Sequence, residues 1–170
     1  MEFRSNLDSQ KIIINTPYIT MGFFMLSDII KQTLITDFIN ETVGHQFEYG
    51  KYDCNLQLLK LIDILTGSDL YSKLHNQYTD PKSGFAKAKK EIGFANTQSC
   101  IEHYFIKEET PSFENGTIIV SEQKVRNKKT LHVAIVYSGY ALAVNSHNVY
   151  QMIPVSLIDF NSSWRIKPCQ

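Results

Sequence analysis

The sequence predicts an α+β fold, with helices up to Pro111 and antiparallel strands after it. Three observations predict it. Before Pro111, apolar residues recur at three- and four-residue spacing. After it they collect in short runs rich in Val and Ile. Ser138-Gly139 separates two of those runs, where a tight hairpin turn belongs. Helices first and strands second are the pattern of an α+β domain. The chain has 170 residues, a length for one domain, and is 43% apolar and 20% charged, as a globular core requires.

Residues 1–24 read as an arm ahead of a domain spanning 25–170. Lys11-Ile12-Ile13-Ile14-Asn15 has the composition of one short strand, which Pro17 ends. A first helix is expected from Leu26 to Val43. Leu26, Ile29, Ile30, Leu34, Phe38 and Val43 mark its inner face, and Asp28, Lys31, Gln32, Asp37 and Asn40 its outer one. Ser27 suits its cap and Gly44 its stop. The next helix, Cys54 to Thr66, carries a single narrow polar stripe of Gln57, Lys60 and Asp63, so most of its circumference is expected to be buried. Asp53 suits its N-cap and Gly67 the position past its end. Further helices are expected over 83–92 and 97–107, with Gly93 between them. Strands are expected over 117–121, 132–137, 140–145 and 149–153, with a last one at Trp164-Arg165-Ile166.

Charge narrows the function. Lys plus Arg and Asp plus Glu balance at 17 each, so no electrostatic footprint for nucleic acid is expected. The basic tract Lys124-Val125-Arg126-Asn127-Lys128-Lys129 lies between two apolar runs and reads as a solvated hairpin loop. No stretch reaches the roughly 18 apolar residues of a membrane span; Asp28 interrupts the run from Ile19 to Ile30. Glu2, Arg4 and Asp8 come first and no apolar stretch with a cleavage site follows, so no secretory signal is expected. Cys54, Cys100 and Cys169 are too few and too scattered for a disulfide framework or a zinc site, and no metal or cofactor is implied. A reducing compartment fits them.

Cys54 is the candidate nucleophile. A thiol attacks as thiolate, and a helix N-terminus supplies partial positive charge and free N–H groups for an oxyanion. A general base and a group to orient it are also needed. Of His45, His75, His103, His132 and His147, His132 is the best base, because it heads the strand Val133-Ala134-Ile135-Val136. A hairpin turning at Ser138-Gly139 brings Asn145 near His132, where it would fix the imidazole tautomer; His147 is the second choice. Each residue also has a plainer role: a small buried hydrophobe for Cys54, a capped strand residue for His132, a turn residue for Asn145.

Phe47-x-Tyr49-Gly50-x-x-Asp53-Cys54, an apolar helix, and then His132 at a strand head resemble the NlpC-type papain-like cysteine peptidases. Leu65-Thr66-Gly67-Ser68-Asp69, Tyr78 and Trp164-Arg165 are similar to a compact branch of that group common in phages and prophages. The likeness covers about Leu26 to Ile166. It implies a papain-like domain: N-terminal helices, a Cys at the start of a buried helix, and a small antiparallel sheet packed against it. It also implies a substrate-binding role for Tyr49, Gly50, Tyr52 and Asp53 around the nucleophile. The family's Ser-Gly after the Cys is Asn55-Leu56 here, the second Gly of its pair is Lys51, its oxyanion tyrosine falls on Phe47, and its strand-opening Gly-Asp is Gly116-Thr117.

The implied function is a cysteine hydrolase (a peptidase or amidase) that cleaves amide bonds of bacterial peptidoglycan or its stem peptides. The phage branch implies a virion protein of tail or neck, otherwise located in the host cytoplasm. The alternative is an inert structural component of the virion that reuses the fold and joins other phage structural proteins through residues 1–20. An acyltransferase or thioesterase on the same Cys-His pair is a third reading.

Overall fold

The computed structural model describes residues 17–125 and 128–168. It is an α+β arrangement of five α-helices and one six-stranded antiparallel sheet. The helices are α1 (Pro17–Thr42), α2 (Cys54–Thr66), α3 (Leu70–Leu74), α4 (Pro81–Glu91) and α5 (Thr97–Tyr104). The strands are β1 (Phe105–Lys107), β2 (Ile118–Val125), β3 (Lys128–Tyr137), β4 (Tyr140–Val144), β5 (Tyr150–Pro154) and β6 (Ser162–Ile166), in the order β1-β6-β2-β3-β4-β5. The expected strand at 11–15, Cys169 and the tip of the basic tract at 126–127 lie outside the described residues. Among the described residues, no helix is long and apolar enough to cross a membrane.

Alternation along the strands divides the sheet into two faces. Ile118, Val120, Leu131, Val133, Ile135, Leu142 and Tyr150 face the helices and pack with Leu56, Leu58, Leu59, Leu61 and Ile62 of α2. Ile119, Ala134, Val136 and Ala141 form a smaller cluster on the opposite face with Val155. The β3–β4 hairpin turns through Ser138 and Gly139, whose φ values of 51° and 78° are those of a two-residue turn matched to strand twist.

The element boundaries depart from expectation at four places. α1 begins at Pro17, so helix runs through Ser27, the expected cap, and into the segment assigned to the arm. Its buried face is Ile35, Phe38, Ile39 and Thr42; Ile29, Ile30, Leu34 and Val43 are exposed. The helix expected over 97–107 stops at Tyr104, and Phe105–Lys107 pairs with β6 as an edge strand. α3 was not expected. Finally, β2 and β3 pair all the way to Val125↔Lys128, so the flanks of the basic tract are strand rather than loop.

α2 has the expected bounds. Asp53 caps it by accepting from the N–H groups of Asn55 and Leu56, each at 3.1 Å. Its polar stripe meets other helices. Gln57 is buried beside the Thr42 hydroxyl at 3.3 Å, Lys60 reaches Glu41 at 2.6 Å over the Phe38 ring, and Asp63 accepts from the amides of Leu70 and Tyr71. The Asp63 contacts explain α3: a half-buried carboxylate receives its first amides, and Ser68 donates to the same group at 2.6 Å.

Candidate active site

The link between α1 and α2 is held to the sheet by its backbone. The Gly44 amide donates to the Tyr150 carbonyl at 2.9 Å, that of Tyr150 to His45, and that of Phe47 to Asn148 at 2.7 Å. This pairing brings Phe47 and Tyr49 to the rim of an open cleft of about 910 Å³, which Asp53, Cys54, Leu131 and His132 also line. The first turns of α4 and α5, with Pro81, Lys82, Asn96 and Thr97, form its other wall.

Cys54 is the first residue of α2 and points into this cleft. Its thiol pKa is pushed up to about 11 by burial first and by the Asp53 carboxylate second. Hydrogen bonding from the backbone of Val133, of Cys54 itself and of Asn55 pulls it the other way. The resting group is therefore a thiol at neutral pH, with backbone donors already gathered at its sulfur.

His132 lines the same cleft, but it is the fifth residue of β3, not its head. Leu131 and Val133, on either side of it, pack toward the helices. His132 thus has the parity of Ala134 and Val136, on the other face. Among the described residues, no hydrogen bond joins its ring to Cys54.

Asn145 does not meet His132. Its amide organises the β4–β5 turn instead. The side-chain oxygen accepts from the amides of His147 and Val149 at 2.9 and 3.0 Å, and Nδ2 donates to Gln151 at 3.0 Å. Strand pairing between β3 and β4 ends at Ile135↔Leu142, short of both residues. His147 is an exposed residue of that same turn.

The four residues around Cys54 divide by role. Tyr49 lines the cleft and meets Phe47 edge-on at 4.9 Å. Tyr52 stacks on His45 at 4.2 Å. Asp53 is 1% exposed and its second carboxylate oxygen accepts from the Gly50 amide at 2.8 Å and the Tyr78 hydroxyl at 2.6 Å. Gly50 is buried against the backbone of Tyr78. Gly50, Asp53 and Tyr78 thus hold the loop before Cys54.

Asp53→Ala removes a helix cap, about 0.5–2 kcal/mol. It also strands the Gly50 amide and the Tyr78 hydroxyl, at about 1–3 kcal/mol for each buried group. A loss of about 3–5 kcal/mol in urea denaturation is expected, and a loss below about 1 kcal/mol would contradict this network.

Sequence reasoning missed Tyr150, Lys82, Asn55 and Thr97. The Tyr150 hydroxyl is buried without a partner among the described residues, and burial raises its pKa, with Cys54 and Asp53 adding to the effect. Thr97 donates to Asn55 Oδ1 at 2.7 Å, tying α5 to the residue after Cys54. Spacing along the chain carries no signal for either contact.

Cys54 (about 11) and Cys100 (about 12) sit above their usual value of 9, and Tyr78 and Tyr150 above 10, each chiefly through burial. In the native state these groups hold their protons at pH values where the unfolded chain releases them. The neutral-form advantage is complete below pH 9 and shrinks as pH rises through the window up to about 11 and beyond. Melting temperature is expected to stay level from pH 7 to 9 in these terms and to fall by pH 10.5. A melting temperature that rises over that interval would show the groups are not buried as described.

A family model described as "Domain of unknown function (DUF6950)" matches residues 30–166, which takes in α2, the cleft and the whole sheet. No curated protein and no solved structure matches the chain.

Proposed function

The chain belongs to the DUF6950 family, whose function is unknown, and from its residues we propose a papain-like, NlpC-type cysteine hydrolase acting on amide bonds of bacterial peptidoglycan. The observation that carries the reading is Cys54 at the N-terminus of buried α2, in a cleft that His132 also lines. Cys54 would attack the carbonyl carbon as thiolate, with backbone N–H groups at the head of α2 receiving the oxyanion. His132 would take the thiol proton and pass it to the leaving amine. Water would then release the acyl group and restore the thiol. The sequence resemblance supplies peptidoglycan as substrate and a phage particle as location. Purified protein incubated with peptidoglycan is expected to release new amino groups, and Cys54→Ala to release none. Equal release by the variant would sink the reading.

Two observations favour a second reading, an inert virion component on the same fold. The resting thiol is protonated and lacks a bond to His132 among the described residues. In addition, Ile29, Ile30 and Leu34 expose an apolar stripe on α1, at 60%, 54% and 44%. On this reading Ile30→Glu with Leu34→Glu impairs incorporation into particles while leaving the domain folded. Normal incorporation of that variant would count against it.

A further inference from the structure

The cleft has a side chamber. α2, α3, α4 and α5 line an apolar cavity of about 50 Å³, walled by Leu58, Leu59, Leu74, Ala88, Ile92 and Cys100. Tyr49, Asn55, Pro81, Phe85, Asn96 and Thr97 line both this cavity and the Cys54 cleft, so the two spaces adjoin along these residues. Asn55, which directly follows the nucleophile, stands at the junction with its oxygen fixed by Thr97 at 2.7 Å. Phe85 borders the same opening and is 39% exposed, unusual for a phenylalanine with an apolar cavity beside it.

We propose that this chamber is a side-chain subsite that selects a small aliphatic group on the substrate residue held next to Cys54. This rests on the hydrolase reading above and names the substrate feature it selects. The cavity's size admits an alanine- or valine-like side chain and excludes an aromatic one, since an engineered cavity of about 150 Å³ is what holds a benzene ring. Its walls offer no charge to an ionised side chain: the Cys100 thiol is among them, and burial pushes its pKa up to about 12, keeping it neutral. Asn55, Asn96, Thr97 and Tyr49 are shared with the cleft, where a peptide backbone would pass, and the Tyr78 hydroxyl is taken by Asp53. Gly84 on α4 sets one wall, since a Cβ there would meet the Tyr78 ring at 2.9 Å.

The test uses the full chain carrying Cys54→Ala and reads amide chemical shifts during titration with N-acetyl-alanine amide, N-acetyl-valine amide and N-acetyl-phenylalanine amide. The alanine and valine compounds are expected to shift the amides of Ala88 and Thr97 in a saturable manner, and the phenylalanine compound to bind at least tenfold more weakly. Ala88→Leu fills the chamber and is expected to abolish the shifts. Phe85→Ala widens the opening without touching the buried walls and is expected to bring the phenylalanine compound within threefold of valine. Equal binding of all three compounds, or binding unchanged in both variants, overturns the proposal. Selective binding with no amine release from peptidoglycan by the unmodified protein would keep the subsite and remove the hydrolase reading. Amine release with indifferent binding would do the reverse.

Discussion

Gly50→Ala is expected to cost the domain most of its stability. Gly50 has φ +77°, and a Cβ built there falls 1.9 Å from the carbonyl oxygen of Tyr78. The left-handed conformation alone penalises alanine by about 1–2 kcal/mol. The clash is worse, because the obstacle is backbone. The Asn76 amide donates to the Gly50 carbonyl at 2.7 Å, so the two segments cannot separate without breaking that bond. Moving Tyr78 would also draw its hydroxyl off Asp53. A loss of about 5 kcal/mol or more is expected, comparable to the whole stability of many domains, about 5–15 kcal/mol. Gly67→Ala is the control. Its φ is +75° but nothing lies within 4 Å of the added Cβ, so it carries the conformational penalty alone. Urea denaturation of the two variants separates strain from collision. A Gly50→Ala protein as stable as Gly67→Ala would show that the Tyr78 contact does not constrain the fold.

This network changes what the motif Tyr49-Gly50-x-x-Asp53-Cys54 means. On sequence it read as a set of residues around a nucleophile. In the structure Gly50 and Asp53 serve the loop, with Tyr78 as their third member, 25 positions further along the chain. Tyr78 was legible as a recurring tyrosine of the resembling branch but its bond to Asp53 was not, since no local spacing encodes a contact across two intervening helices, α2 and α3. The α+β class and the bounds of α2 were legible, because a one-stripe helix between a capping Asp and a Gly reads cleanly by period. α1 was legible as a helix but not in its facing. Ile29, Ile30 and Leu34 fit the apolar spacing as well as Ile35, Phe38 and Ile39 do, and only the position of α2 decides which set is covered. β1 was lost for a related reason. Phe105-Ile106-Lys107 continues the helical pattern of α5, and the strand exists because β6 offers it a free edge.

The candidate site was legible by residue and less so by geometry. Cys54 and His132 do line one cleft. Counting His132 as a strand head, however, depended on reading Lys128–Leu131 as loop. Pairing of those residues with β2 moves His132 into the strand interior, and strand alternation then turns it from the helix face. Asn145 was placed by hairpin arithmetic that is sound as far as the pairing goes. The side chain is claimed by its own turn, as Asn side chains commonly are.

The second large effect is expected at His132, and pH separates its two roles. If His132 swings over the cleft to take the Cys54 proton in the bound state, His132→Ala should lower kcat/KM for amide hydrolysis by about 10²–10⁴-fold, the usual range for a positioned general base. The rate of the parent enzyme should then rise well below the titration of the isolated thiol at about 11. If His132 stays on the far face, Cys54 ionises alone. Its reaction with neutral iodoacetamide should then climb about tenfold per pH unit toward about 11, and His132→Ala should leave that profile unmoved. The sign follows from the thiol's environment: burial and Asp53 both oppose the thiolate, so only a proton acceptor brought to the sulfur can create a reactive form at neutral pH. Alkylation of Cys54 between pH 6 and 11, with and without substrate peptide, measures this. A neutral-pH shoulder that appears with peptide and vanishes in His132→Ala is the expected result for a working pair. A single rise toward about pH 11 in every condition would leave Cys54 as a half-buried thiol at a helix head and the domain without a hydrolytic centre.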